Sequence, residues 1–402
     1  MRALCLLALI ATPALAEPTR DWSAEIAGKG LATTERDIAA LSAPTPDDRF
    51  ALAITRFLDG IEQALAARYA VGQSDALELL PVFRLPLPPN PNPAPFDPAL
   101  IETTFKAVNH SMDESRAALA GIPQDTDLSL TLRLGDVWFD VNRSGTRDPG
   151  EGAGELAGAI LSLEPDAAAK LPEVTFDRAD AAWLSAYSHL LSATGEAVLA
   201  FSPTGPITRV MEGRRDLTDK GVDGPIEIFI GGAPRDAARP NPTDYFAMLL
   251  LTLRQTPDPG HIHAARDHLL AMIADNRRFW IELGKETDDR QEWIPNAHQT
   301  GALPAPLPPN LGTSWQAVLS DAEMLVKGER LIPYPDPTGG GQVGFDLGAW
   351  FDKPSAIDIV EWLHGMGLAP YLRKGPLVST QNWRAFDDLV AGQGAYFAFW
   401  LN

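Results

Sequence analysis

Twelve residues from Asp140 to Glu151 carry oxygen-bearing side chains at a spacing that suits a metal ion. The first, third, fifth, ninth and twelfth positions hold these side chains, and the sixth position is Gly145. A cation of calcium's size and hardness takes six to eight oxygen ligands, and glycine permits the sharp turn that lets alternate side chains point inward. The spacing therefore predicts a calcium-binding loop.

Over these twelve residues the chain resembles the calcium loop of EF-hand proteins. The resemblance implies six ligand residues, of which the fourth binds through its backbone carbonyl, the fifth often through water and the last through both carboxylate oxygens: Asp140, Asn142, Ser144, Thr146, Asp148 and Glu151. Two positions depart from the pattern. Arg147 replaces the usual aliphatic residue that pairs with a second loop, and Ser144 stands where Asp or Asn is usual. We therefore expect a single, unpaired site of modest affinity.

The residues around the loop give a clearer prediction for its exit than for its entry. Asp148 can cap a helix that has Pro149 at its first position and Glu151 at its third, where Glu151 can lean back toward the cap. On the entry side, Leu128 to Leu134 alternates like a strand, although the same segment could also line one helical face. The alternative interpretation of the whole loop is a polar turn rich in Asp, Asn and Gly.

A second acidic segment begins at Asp219 and has acids at its first and fifth places and glycine at its sixth. Ile230 stands where the closing glutamate would be, so we interpret this segment as a turn that enters a strand.

Three histidines, His261, His263 and His268, lie near the start of a predicted helix opened by Asp258-Pro259. A His-x-His pair with a third nitrogen ligand could bind zinc and support hydrolysis. Residues two apart on a helix point in different directions, however, so His261 and His263 converge only if the first turn is irregular. Partly exposed histidines without a metal are the alternative.

Two further groups of residues have an ordinary structural explanation. We interpret the acids near the end of the same helix as a solvated charged face: Glu282, Glu286, Asp288, Asp289 and Glu292. The C-terminal third is rich in aromatic residues, which could line a binding groove or fill a helical core: Phe345, Trp350, Phe351, Trp362, Tyr371, Trp383, Phe386, Tyr396, Phe397, Phe399 and Trp400.

The N-terminus has the parts of a secretory signal peptide. Arg2 precedes a short apolar run that ends in Ala14-Leu15-Ala16, so we expect cleavage after Ala16 and a periplasmic or secreted protein. Cys5, the single cysteine, lies inside this segment, which leaves the mature chain without disulfides or thiolate metal sites. A net charge of -20 argues against nucleic acid as a partner, and no later apolar stretch reaches membrane-spanning length.

Helical periodicity dominates the chain, so we expect a mainly α fold of one or two helical domains with a few short strands. The predicted organisation is a signal peptide at 1–16, a helical region at 17–202 that contains the calcium loop, a Gly/Pro-rich connection with a short strand at 203–242, and an aromatic-rich helical region at 243–402. Predicted helices are Phe50 to Leu65, Ala99 to Leu119, Asp180 to Ala200, Asp244 to Arg254, His261 to Leu283, Ser314 to Val326, Ser355 to Met366 and Trp383 to Val390.

These features predict an exported calcium-binding protein in which calcium is mainly structural, and they do not name a biological role. The competing hypotheses are an exported zinc hydrolase that uses His261 and His263, and an extracytoplasmic binding or assembly protein that uses the aromatic C-terminal region. Whether the chain is an enzyme stays open at this point.

Overall fold

The structure is a computed structural model that describes residues 20–73, 85–123, 126–158, 171–221, 242–296, 298–302, 308, 310–335, 342–390 and 392. Within these ranges the chain forms thirteen α-helices and five short strands, and it is 60% helical. The predicted mainly α fold with few strands is confirmed. No helix among the described residues combines the length and the apolar character that crossing a membrane requires.

The N-terminal helices are α1 (Trp22–Lys29), α2 (Leu31–Ala39), α3 (Pro46–Ala70), α4 (Ala99–Ala120) and α5 (Ala153–Gly158). They are followed by α6 (Arg178–Ala200), α7 (Thr204–Asp219), α8 (Pro242–Leu253) and α9 (Pro259–Leu283). The last four are α10 (Leu311–Val326), α11 (Leu347–Asp352), α12 (Ile359–His364) and α13 (Gln381–Leu389). The strands are β1 (Leu130–Arg133), β2 (Glu173–Phe176), β3 (Ile332–Pro333), β4 (Val343–Phe345) and β5 (Leu372–Lys374).

Capping residues fix where the long helices begin. Thr45 and Asp48 form a capping box at the start of α3, and Pro46 takes the first helical position. Asp177 and Asp180 form the same arrangement at the start of α6. Asp258 caps α9 by accepting a hydrogen bond from the His261 N–H at 3.0 Å. These side chains satisfy amide groups that the first turn of each helix leaves unpaired.

The longest helices pack side by side in the order α3, α4, α6 and α9, and the contact between α6 and α9 is the most extensive. The largest hydrophobic cluster runs through this packing and draws residues from near both ends of the described chain, from Trp22 to Phe386. Phe57 and Tyr187 meet within it with ring centroids 5.8 Å apart. One continuous core therefore joins the regions on either side of residues 203–242.

Two small antiparallel sheets accompany the helices. In the first, β1 pairs with β2 in a register that sets Leu130 opposite Phe176 and Leu132 opposite Val174. Leu132 and Val174 are both buried, so this face joins the largest core cluster. The second sheet has the order β3-β4-β5. Strand β1 lies within the segment that we predicted to alternate, so the strand interpretation of the loop entry is the correct one.

The predicted long helices agree with the observed ones to within a few residues, whereas several shorter elements were not predicted. Helices α1 and α2 carry no prediction, and α12 is shorter than the predicted span of Ser355 to Met366. Helix α7 occupies Thr204–Asp219, inside the stretch that we predicted to be a Gly/Pro-rich connection. Pro206 lies in its first turn, where the missing amide hydrogen does no harm, so proline there does not prevent a helix.

Some sequence-based predictions fall outside the described residues. They are the signal peptide at 1–16, the strand predicted from Pro225 to Ile230, most of the second acidic segment and the aromatic residues from Tyr396 to Trp400.

Gly60 lies where α3 packs closely against α4. A methyl group at this position would lie 2.8 Å from Met112 Cε and 3.0 Å from Ser111 Cβ. We expect Gly60→Val to lower the free energy of unfolding by about 1–3 kcal/mol, because overpacking forces the two helices apart. Denaturant unfolding followed by circular dichroism measures this change. Gly213→Val is the matched control, because Gly213 is helical and nothing lies within 4 Å of its added Cβ. Equal stability of the two variants would contradict the prediction.

Candidate functional site

The ends of the loop from Asp140 to Glu151 are held together by backbone hydrogen bonds. The Phe139 N–H donates to the Glu151 carbonyl at 2.9 Å, and the Ala153 N–H donates to the Val137 carbonyl at 2.9 Å. Trp138 and Gly152 form an antiparallel bridge between these two contacts. The loop is therefore closed at its base like a short hairpin before any side chain contributes.

The Glu151 carboxylate lies at the centre of the loop and is fully buried. Its Oε1 accepts a hydrogen bond from the Val141 N–H at 3.1 Å, and its Oε2 accepts one from the Asp148 N–H at 2.8 Å. Burial raises the pKa of Glu151. The predicted lean of Glu151 toward Asp148 is present, but the helix begins at Ala153 and not at Pro149, so that part of the prediction is wrong. A turn at Pro149 and Gly150, with Gly150 at φ +88°, delays the helix start.

The Asp140 carboxylate organises the first half of the loop. It accepts hydrogen bonds from the Ser144 N–H and the Gly145 N–H, each at 2.9 Å. Such bonds need a tight turn, and Arg143 and Gly145 adopt positive φ values of 59° and 76°. Gly145 therefore has the conformational role that the sequence assigns to it.

The remaining predicted ligands join the same network of oxygens. Asn142 accepts from the Ser144 N–H at 2.8 Å and donates through Nδ2 to Asp148 Oδ2 at 2.7 Å. The Ser144 hydroxyl contacts the Thr146 carbonyl at 2.8 Å and Asp148 Oδ2 at 3.2 Å. The structure thus brings all six predicted ligand residues into one hydrogen-bonded loop, and each contributes an oxygen atom of the kind that calcium prefers.

Glu62 on α3 anchors this loop and was not predicted from the sequence. Its Oε2 accepts a hydrogen bond from the Asp140 N–H at 2.8 Å, and the side chain is only 2% exposed. Burial raises the pKa of Glu62 to about 7, and the Arg143 guanidinium 3.8 Å away partly opposes that rise. The sequence does contain a signal for the burial of Glu62. This acid lies seven residues after Thr55 and three before Leu65, a spacing that places it on the buried face of α3.

The loop lacks the flanking helices of an EF-hand on its entry side. Strand β1 and a single 3-10 turn at Leu134–Asp136 lead into it, and α5, which has six residues, follows. Arg147, at the position that pairs two loops in EF-hands, donates instead to the Gly135 carbonyl at 3.2 Å. The site is a closed loop in a strand-to-helix connection.

The three histidines of α9 do not converge. His261 Nδ1 lies 2.6 Å from Glu196 Oε2 on α6, and His268 Nδ1 lies 2.8 Å from His189 Nδ1, also on α6. His263 is exposed. His261 and His268 are seven residues apart, which places them on one face but about 10 Å apart along the helix. His261, His263 and His268 therefore do not come together in the arrangement that the zinc hypothesis requires.

These contacts belong to a row of polar side chains between α4, α6 and α9, which we call the polar seam: Asn109, Arg116, Ser185, Ser188, His189, Ser192, Glu196, His261, His268 and Asp275. Arg116 donates to the hydroxyls of Ser188 and Ser192, each at 3.1 Å. Burial lowers the pKa of His189 to about 3, with Arg116 adding to the effect, and the same two causes lower the pKa of His268.

The acids near the end of α9 are not simply a solvated face. Glu292 is 5% exposed, and Asp177, Glu286 and Glu292 offer oxygens that all lie within 4.8 Å of one another. We call these three residues the acidic triad. Among the described residues, the acidic triad is the only group of three or more acidic, histidine or cysteine side chains whose ligand atoms all lie this close together. The loop carboxylates of Asp140, Asp148 and Glu151 do not come this close to one another. Burial, followed by the contact with Asp177, raises the pKa of Glu286 to about 9.

Most of the described aromatic residues of the C-terminal third fill a core. Phe345, Trp350, Phe351 and Tyr371 are buried in one hydrophobic cluster, with Trp362 packed against it. Trp383 is 41% exposed. The core interpretation therefore accounts for these side chains except Trp383.

No protein-family model, curated protein or solved structure matches this chain. The chemistry of the loop, the polar seam and the acidic triad is thus what any functional proposal must rest on.

The raised pKa of Glu286 predicts a specific pH dependence. The unfolded chain loses this proton near pH 4.3, whereas the folded chain retains it up to about pH 9. The folded state therefore binds more protons between these values, and its stability falls as pH rises. We expect Glu286→Gln, which imitates the protonated acid, to gain melting temperature over the wild type progressively from pH 5 to pH 9.

Thermal unfolding at constant calcium measures this gain. Glu282→Gln is the matched control, because Glu282 lies on α9 and pairs with Lys285 outside the acidic triad. A gain in melting temperature for Glu286→Gln that does not change with pH would contradict the prediction.

Proposed function

We propose that this protein is an exported calcium-binding protein in which one calcium ion stabilises the segment from Asp140 to Glu151. The observation that carries the proposal is the fully buried Glu151 carboxylate at the centre of a closed loop of oxygens. Burying a carboxylate is costly unless a positive charge or several hydrogen bonds compensate it. Backbone N–H groups supply part of that compensation at Glu151, and a bound cation would add to it directly.

The charges around the loop favour a divalent cation. Asp140, Asp148 and Glu151 belong to it, and Glu62 lies directly behind Asp140. Arg143 reaches Glu62 from an exposed position, 55% of its side chain being accessible, so solvent screens its charge. The side-chain ligands are oxygens, which suit calcium better than the nitrogen and sulfur ligands of zinc sites do.

A structural role for calcium follows from what the loop packs against. Val137, Phe139 and Val141, at the loop entry, belong to a hydrophobic cluster that also contains Leu156 of α5 and Leu65 of α3. An ion that holds Asp140 near Glu151 would therefore hold the apolar residues on both sides of the loop in place. Arg147 is engaged with Gly135, so the loop does not present the usual contact with a second loop.

The proposed location supports the same role. The predicted signal peptide would direct the protein out of the cytoplasm. Outside the cytoplasm, calcium is abundant enough to keep a weak site filled. A site that is permanently occupied contributes stability and does not act as a sensor.

Calcium should raise the melting temperature of the protein. At about 100 times its dissociation constant, a ligand that binds only the folded state stabilises it by about 2.7 kcal/mol. We expect Glu151→Gln to remove most of this gain, because the amide has no negative charge and only one ligand oxygen. Thermal unfolding with and without calcium, together with calorimetric titration, measures both effects.

Glu155→Gln is the control for that experiment. Glu155 accepts hydrogen bonds from the Gly150 and Gly152 N–H groups but is not among the predicted ligands. Its variant should keep the full calcium response. A wild-type melting temperature that calcium leaves unchanged would overturn the proposed function.

Glu62 should affect calcium affinity without touching the ion. Glu62→Leu removes the acceptor of the Asp140 N–H, and loss of such an outer contact typically costs about 10–100-fold in metal affinity. Glu62→Gln keeps an acceptor oxygen and should cost less. Calorimetric titration with calcium compares the two variants, and equal affinities for Glu62→Leu and the wild type would show that the anchor is unimportant.

A further inference from the structure

His189 and His268 bring two imidazole nitrogens together across the most extensive helix contact of the fold. The distance between their Nδ1 atoms is 2.8 Å, and the ring centroids lie 5.1 Å apart with the ring planes inclined at 45°. His189 belongs to α6 and His268 to α9. The two nitrogens therefore lie close together between these two helices.

This distance leaves room for at most one hydrogen between the two nitrogens, so at least one Nδ1 presents a lone pair. A ring that presents this lone pair is neutral. Neutral imidazole is the form that binds metal ions. Two zinc–nitrogen bonds of 2.0–2.1 Å at a tetrahedral angle place the nitrogens about 3.3 Å apart. Separating the rings by about 0.5 Å would therefore admit such an ion.

An acid lies behind one of the rings. Asp275 Oδ2 is 3.9 Å from His189 Nε2, the nitrogen that faces away from His268. The Ser185 hydroxyl donates to the same carboxylate, and Arg278 lies 3.2 Å from its other oxygen. Histidines that bind metals commonly direct their second nitrogen toward such a carboxylate, which fixes the ring and increases its basicity.

The Arg116 guanidinium, the neighbouring positive charge, already has hydrogen-bond and ion-pair partners. Arg116 forms an ion pair with Asp113 and donates to Ser188 and Ser192. Its charge would weaken the binding of a cation, whereas Asp113 and Asp275 oppose that effect. Glu196 and Asp267 add further negative charge near His268.

We propose that His189 and His268 bind one transition-metal ion of the zinc class through their Nδ1 atoms and thereby link α6 to α9. Water fills the remaining coordination positions, because the described residues provide no third acid or histidine at ligand distance. The site is separate from the oxygen-lined loop and takes a metal of different chemical preference.

Zinc chloride titrated into the purified, calcium-saturated protein tests the proposal. We expect one equivalent of zinc to bind and to raise the melting temperature, and His268→Gln to weaken this binding by at least about tenfold. His263→Gln is the matched control, because His263 is an exposed histidine on the same helix, and it should bind zinc as the wild type does. Zinc binding that survives in His268→Gln, or that disappears in His263→Gln, would overturn the proposal.

A measurement on the unmodified chain covers the case in which His268→Gln fails to fold. Nitrogen-15 NMR of the imidazoles should show that zinc changes the Nδ1 resonances of His189 and His268. Resonances that zinc leaves unchanged would mean that the two rings only share a hydrogen bond, and the proposal would fail. Glu151→Gln should leave the zinc response intact, so failure of the calcium proposal and failure of this one are distinguishable.

Discussion

Helix α6 contacts both α4 and α9, and it buries polar side chains against each of them. Ser185, Ser188 and Ser192 are buried there, and an unpaired buried polar group costs about 1–3 kcal/mol. Ser188 and Ser192 receive hydrogen bonds from Arg116 of α4, and Ser185 donates to Asp275 of α9. These bonds require one relative register of the three helices. Apolar packing alone would tolerate small shifts, so the polar seam gives the arrangement its specificity.

The same constraint governs the loop. Glu62 and Glu151 are both buried carboxylates, and both are compensated mainly by backbone N–H groups of the loop itself. The loop and α3 therefore depend on each other, because Glu62 loses its partner if the loop opens. Burial also raises the pKa of each acid. Ionising either carboxylate in the folded protein therefore still costs free energy despite these hydrogen bonds. A cation would relieve that cost at Glu151 first.

The features that sequence analysis predicted well are those encoded by nearby residues. The α9 helix follows from its own periodicity and its Asp258 cap, and the tight turn around Gly145 follows from the residue types within twelve positions. The pairing of His189 with His268 spans 79 positions and depends on the register between α6 and α9. No local pattern contains that register. A partial signal existed in the recurrence of His261, His268 and Asp275 every seven residues, which places three polar groups on one helical face.

The acidic triad shows a related limit. The sequence predicts that Glu286 and Glu292 lie on a charged surface, because acidic side chains are usually solvated. In the structure the chain after α9 turns back toward the start of α6, where Asp177 lies close to both acids. Burial is a property of the assembled fold. Charge and spacing within one segment did not reveal it.

The contact between Arg147 and Gly135 has a consequence for how the loop would respond to ion concentration. In paired calcium loops, a short backbone contact lets the filling of one loop favour the filling of the other. Arg147 directs this position toward the chain's own entry turn, where the Gly135 carbonyl accepts its hydrogen bond. Occupancy would then follow simple one-site saturation, graded and without a threshold. If calcium binds as proposed, such a loop would suit a surrounding in which the calcium concentration varies little, and it would make a poor trigger.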